Sequence, residues 1–168
     1  LGLTGLQSHG APGDLDLSFD AGSTSNAAIN AMAVQSDGKV LIGGGFTTVH
    51  GTLRTGLARL HSDGTTDESF NIPLSGNRVS INAIAIQADG KVLIGGSFAS
   101  VNGTSQSNLA RLNLDGSLDL TYSNALSGVS QLVLQKDGKV LVTGGFTNIN
   151  GIERRYLARL NIDGSLDE

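Results

Sequence analysis

The chain has no cysteine, no tryptophan, only two prolines, and charged side chains at just 15% of its 168 positions. Without thiols, neither disulfides nor thiolate metal sites can form. Secretion stays open, because an extracellular fold does not require disulfides. The net charge of −4, with Lys and Arg dispersed along the chain, argues against a nucleic-acid partner. No apolar run approaches the roughly 20 residues that a membrane span needs. At 39% hydrophobic the chain is too apolar for disorder, and 24 glycines are too many for a helical protein. The opening LGLTGLQSHGAPG lacks the basic start and apolar stretch of a signal peptide, and the first residue is Leu. Residues 1–12 are expected to be a leader or linker.

What is present in quantity is repetition. DGKVLIGGGF at 37–46 returns as DGKVLIGGSF at 89–98 and as DGKVLVTGGF at 137–146. Phe46, Phe98 and Phe146 align, as do Gly51, Gly103 and Gly151. LAR triplets end at Arg59, Arg111 and Arg159, and a second Asp-Gly follows each one. The anchoring Asp residues are 52 and then 48 residues apart, and the length change falls in one connection, which must be a surface loop.

Periodicity within the repeat predicts strands. INAIAIQ (81–87) and KVLIGG (91–96) flank an Asp-Gly turn, as do LARLN (109–113) and SLDLTY (117–122). Four short antiparallel strands per repeat are therefore expected. Both faces of these strands are apolar, so each sheet must be covered on both sides. Ala83 and Ala85 on one face, with Ile84 and Ile86 on the other, suit face-to-face stacking. The glycines after VLI allow close backbone approach, with Gly44, Gly96 and Gly144 expected at such contacts. Four strands in about 50 residues, stacked on neighbours, point to an all-β propeller rather than a sandwich or β-helix. Blade cores are expected at about 27–70, 79–122 and 127–168.

Three blades fall short of the roughly four to eight that close a ring. GDLDLSF (13–19) aligns with GSLDLTY (116–122) and is expected to complete a distant blade as its outer strand. Open blade faces would be apolar, so a lone monomer is not expected. The expected partner is a second copy closing a six-bladed dimeric ring, or adjacent repeats of a longer parent chain.

Candidate sites divide into those that recur and those that vary. Arg59, Arg111 and Arg159 recur with Asp67, Asp119 and Asp167 eight residues on. One function would be a ring of ligand-binding guanidiniums, but once-per-blade recurrence favours a structural Arg–Asp pair. Asp63, Asp115 and Asp163 sit in turns that resemble calcium loops but lack the terminal bidentate Glu. Hairpin chemistry explains them equally, so no cofactor is expected and calcium is the lesser alternative. The three His neither recur nor pair, and no nucleophile elbow or acid–base set is visible. Variation concentrates in 47–56, 99–108 and 147–156, which nominates His50, Arg54, Asn102, Gln106, Glu153, Arg154, Arg155 and Tyr156 as a binding rim on the long-loop face.

The composite motif, DGKVLIGGSF, then VNG, LARLN and DGSLD, resembles the delta-60 repeat over about residues 13–168. Its aliphatic-then-Gly-Gly element also resembles a kelch blade, without the kelch tryptophan. The resemblance implies a propeller in a secreted or bacterial surface protein, and it implies no activity. The expected role is a non-enzymatic scaffold meeting a protein or glycan, with no nucleic acid and no membrane span. The alternative is a glycan-processing hydrolase of propeller type, with its site in the central channel of the assembled ring. The inner strands offer Asn, Ser and Gln but no acids, which favours the scaffold.

Overall fold

The computed structural model describes Phe19, residues 25–122 and residues 126–168. Within them every regular element is a strand, and the sequence repeat becomes a repeat of sheets. The first repeat contains β1 (Ile29–Val34), β2 (Val40–Gly44), β3 (Thr48–Val49), β4 (Thr52–Leu53) and β5 (Leu57–Leu60). The second is entered through β6 (Leu74–Ser75) and contains β7 (Ser80–Ile86), β8 (Val92–Ser97), β9 (Ser100–Val101), β10 (Thr104–Ser105) and β11 (Leu109–Leu112). The third contains β12 (Val129–Leu134), β13 (Val140–Gly144), β14 (Asn148–Ile149), β15 (Ile152–Glu153) and β16 (Leu157–Leu160).

Each repeat builds one antiparallel sheet, in the orders β1-β2-β5, β7-β8-β11 and β12-β13-β16. The excursion between the second and third strands is a small hairpin: β3-β4, β9-β10 and β14-β15. His50, Asn102 and Asn150 begin these hairpin turns with φ near +50°, each followed by a glycine of positive φ, the double left-handed geometry of a tight two-residue turn.

Among the described residues three strands, not four, make each of these sheets. The expected fourth strand shrinks to single bridges, Leu60 with Thr66, Leu112 with Leu118 and Leu160 with Leu166. In the first two repeats the chain then turns away at once, because the Asp67 and Asp119 carboxylates cap the backbone N–H of Ser69 and Thr121. A side-chain turn has displaced the strand. The proposed blade-completing strand at 13–19 lies outside the described residues apart from Phe19, which is an exposed bend. The proposed leader at 1–12 lies outside them too.

Stacking is where the burial comes from. β7 packs against β1 and β2 on one side and β12 on the other. Cross-strand partners share a face. One face of each sheet therefore carries two rows: Ala31–Gly43–Leu57 and Ala33–Leu41–Arg59 in the first repeat, and Ala83–Gly95–Leu109 and Ala85–Leu93–Arg111 in the second. The opposite face projects Ile81, Ile84 and Ile86 in the second repeat, and Val129, Leu132 and Leu134 in the third. The core consequently lies between sheets, one cluster joining Leu41 and Leu57 to Ile81 and Ile94, another joining Leu93 and Leu109 to Val129 and Val142. This is the blade-on-blade arrangement of a β-propeller. Among the described residues no helix is long and apolar enough to cross a membrane.

Candidate functional site

The recurring Arg and Asp meet in every repeat. Arg59 Nε donates to Asp67 Oδ2 at 2.9 Å and Arg111 Nε to Asp119 Oδ2 at 2.8 Å, while Arg159 pairs with Asp167. A third member was not legible locally: Lys39, Lys91 and Lys139, from the first Asp-Gly turn, donate to the same carboxylates at 2.8, 2.7 and 2.9 Å. In two repeats the guanidinium also lies over a ring, Arg59 on Phe70 at 4.4 Å and Arg111 on Tyr122 at 4.5 Å. Arg111 reaches further, its Nη1 donating to the Ile162 carbonyl of the next repeat at 2.6 Å.

Burial pushes the Asp67 and Asp119 carboxyls upward, but the hydrogen bonds from Lys39, Ser69 and Arg59, and from Lys91, Thr121 and Arg111, outweigh it. Both carboxyls are held well below the ordinary carboxylate range. Lys139 and Arg159 lower Asp167 in the same way. Such a cluster fastens three distant stretches of one blade and spends its charges doing so. Tyr122 is the exception: its buried hydroxyl has no partner among the described residues, and burial pushes its pKa up to about 12.

A cleft of about 490 Å³ opens between the second and third repeats, lined by Asp89, Lys91, Arg111, Asp137, Lys139 and Asp163 among others. Its charges are already engaged. Asp89 and Asp137 accept the backbone N–H of Lys91 and Lys139, and the three cations hold Asp119 and Asp167.

The calcium candidates are turn caps. Asp63, Asp115 and Asp163 accept the backbone N–H and the hydroxyl of Thr65, Ser117 and Ser165, which lowers all three pKa values. Among the described residues no group of three His, Asp or Glu could hold a metal ion.

The proposed rim is not one surface. Arg54 is 5% exposed, and its Nη2 donates to Glu68 Oε2 at 2.8 Å, so it is an internal strut. His50 hydrogen-bonds Thr66, and Asn102 donates to the Gly116 carbonyl, which folds each hairpin tip onto its own outer turn. Gln106 donates to the Leu109 carbonyl. In the third repeat most of the nominated rim residues lie in solvent. Glu153, Arg155 and Tyr156 are exposed, Arg154 is half-buried, and Arg155 Nε pairs with Glu153 at 2.8 Å. Tyr156 adopts φ +66°, a left-handed conformation costly for an aromatic residue, at the position Gly56 and Asn108 occupy in the other repeats.

A polar ladder runs along the inner strands. The register shift between Ile81 and Ala83 bulges Asn82, whose Nδ2 donates to the Val129 carbonyl at 3.1 Å. Asn30, in the equivalent bulge of β1, donates to Ser80 Oγ and Asn82 Oδ1. These amides lace neighbouring repeats together and supply no acid or base.

A family model described as a domain of unknown function (DUF5122) beta-propeller matches the chain three times, over residues 35–70, 87–122 and 135–168. Each match spans one Lys–Arg–Asp cluster and leaves out the inner strand. No curated protein matches the chain.

Proposed function

Because the chain belongs to the DUF5122 beta-propeller family, which matches more than half of it, we propose that it is a non-enzymatic propeller scaffold that binds a protein or glycan partner. The supporting observation is a contrast. Ionic groups that recur in every repeat are engaged with one another, whereas the residues that break the repeat, Glu153, Arg155 and Tyr156, face solvent, with half-buried Arg154, the counterpart of Arg54, beside them. Two guanidiniums beside an exposed phenol suit an anionic partner, with charge-assisted pairing from the arginines and stacking from the ring. The Arg155–Glu153 pair is a surface pair of little stability and can exchange for a ligand. Most glycan-processing hydrolases work through a carboxylate pair. Equivalent inner-strand positions instead carry Asn30, Asn82 and Ser130, which supports the binding role. The finer assignment to the delta-60 repeat, and a secreted or cell-surface setting, belong to the same proposal.

Immobilised heparin, as a sulfated-glycan probe, and an immobilised polyglutamate peptide test the patch. The chain should be retained on at least one and released by salt, since exposed charges are screened. Arg154→Ala with Arg155→Ala should abolish retention without lowering the melting temperature. Unchanged retention in that variant would remove the patch from the proposal.

A further inference from the structure

Both seams between repeats are built the same way, and the third repeat departs from that design on its outward side. At the first seam a Cβ on Gly43 would lie 2.6 Å from Ile81 Cγ2 and 3.1 Å from Ile84 Cδ1. At the second, a Cβ on Gly95 would lie 2.4 Å from Val129 Cγ1 and 3.3 Å from Leu132 Cδ1. Carbon atoms cannot share those distances, so only hydrogen fits at each acceptor position. Beside each glycine stand alanines, and leucines complete the row: Leu57 is 1% exposed and Leu109 is fully buried.

In the third repeat the equivalent rows read Gln131–Thr143–Leu157 and Val133–Leu141–Arg159. Thr143 replaces the glycine, while Gln131 and Val133 replace the alanines. Tyr156 adds a ring at the position where a Cβ on Gly56 would meet Val79 Cγ1 at 2.6 Å and where Asn108 donates to the Leu126 carbonyl. Leu157 is accordingly 56% exposed. At the other end the projecting side is intact. Ile29, Met32 and Val34 match Ile81, Ile84 and Ile86 in register and chemistry, and all three are exposed.

From these two faces we infer that the stack is directional. The Ile29–Met32–Val34 face takes an acceptor-type blade of the same repeat, with glycine at the Gly43 position and alanine at the Ala31 and Ala33 positions. The third repeat of a second copy cannot serve, because Thr143 would collide with Ile29 at the spacing of the existing seams. The occupant follows from continuity with those seams, which use the same three projecting positions on the same sheet face. An apolar face of this kind is a binding surface or an aggregation liability. The two-copy ring expected from the sequence is thereby replaced by a blade that discriminates at one glycine. This inference rests on the packing of the repeats and not on the rim's ligand, so failure of heparin retention leaves it standing.

Sedimentation velocity of the full chain over a micromolar range tests it. The native sequence should sediment as a monomer. Gln131→Ala, Val133→Ala, Thr143→Gly and Tyr156→Gly together create an acceptor face, and that variant should associate, at least doubling its weight-average mass. Adding Met32→Asp should return the variant to monomer, yet leave it able to bind the native chain in a one-to-one mixture through its acceptor face. Should the fourfold variant not fold, Gln131→Ala with Thr143→Gly should show the same shift at higher concentration. Monomeric behaviour of the folded acceptor variant would overturn the inference. So would self-association of the native chain that Met32→Asp abolishes.

Discussion

Asp119 shows how much of a blade one side chain can hold. Its two oxygens accept from Lys91 in the first turn, Arg111 on β11, and the backbone and hydroxyl of Thr121. Replacing it by Asn keeps the volume but leaves two cations without a counter-charge. With Asp119 and Arg111 both largely buried, Asp119→Asn is expected to cost about 3 kcal/mol in chemical denaturation at neutral pH. The sign with pH follows from linkage. Because the carboxyl titrates lower in the folded state than in the unfolded chain, its contribution is whole above about pH 4 and is lost as pH falls through the folded value. The stability difference between native and Asp119→Asn proteins should therefore shrink as the solution is acidified. Part of this was legible: Arg and Asp recur eight residues apart, and a pair kept in every repeat reads as scaffold. Lysine's share was not, because Lys91 lies 28 residues from Asp119 and only the folded sheet brings them together.

At the scale of the element, two adjacent glycines do different jobs. Gly43 and Gly95 face the next repeat, whereas Gly44, Gly96 and Gly144 face the inner strand of their own sheet. A Cβ on Gly96 would lie 2.0 Å from the Ser80 carbonyl oxygen, since the bulge at Asn82 brings that backbone close. Gly96→Val should cost about 3 kcal/mol by overpacking against backbone that cannot move aside. Gly145→Ala, with nothing within 4 Å of its Cβ, is the control and should leave the melting temperature where it is. Close approach after VLI could be read from the sequence, but which glycine touched which neighbour depended on bulges that no periodicity announces. The missing fourth strand has a plainer cause. Alternation in SLDLTY suggests a strand, yet Asp-x-Ser at 67–69 and Asp-x-Thr at 119–121 are the signature of a side-chain-capped turn. That signal was present and outweighs the alternation, because the carboxylate satisfies the backbone N–H that a strand partner would have taken.

For the molecule as a whole, stability comes from sheets pressed face to face, small residues on one side receiving branched ones from the other. The pattern was legible as Ala-Ile-Ala-Ile with Gly-Gly. The outward change in the third repeat was visible as Thr143 and Gln131, but its meaning needed the row that places them beside Leu157. The most direct measurement of this packing is a double-mutant cycle across the second seam, read by chemical denaturation. Gly95→Ala should cost about 2 kcal/mol because its methyl group meets Val129. Val129→Ala alone should cost on the order of 2 kcal/mol through the cavity it leaves. Together they should cost less than their sum by at least about 1 kcal/mol, since the shortened side chain makes room for the new methyl group. If the two costs add to within about 0.5 kcal/mol, Gly95 and Val129 are not in contact and the repeats do not stack through these faces.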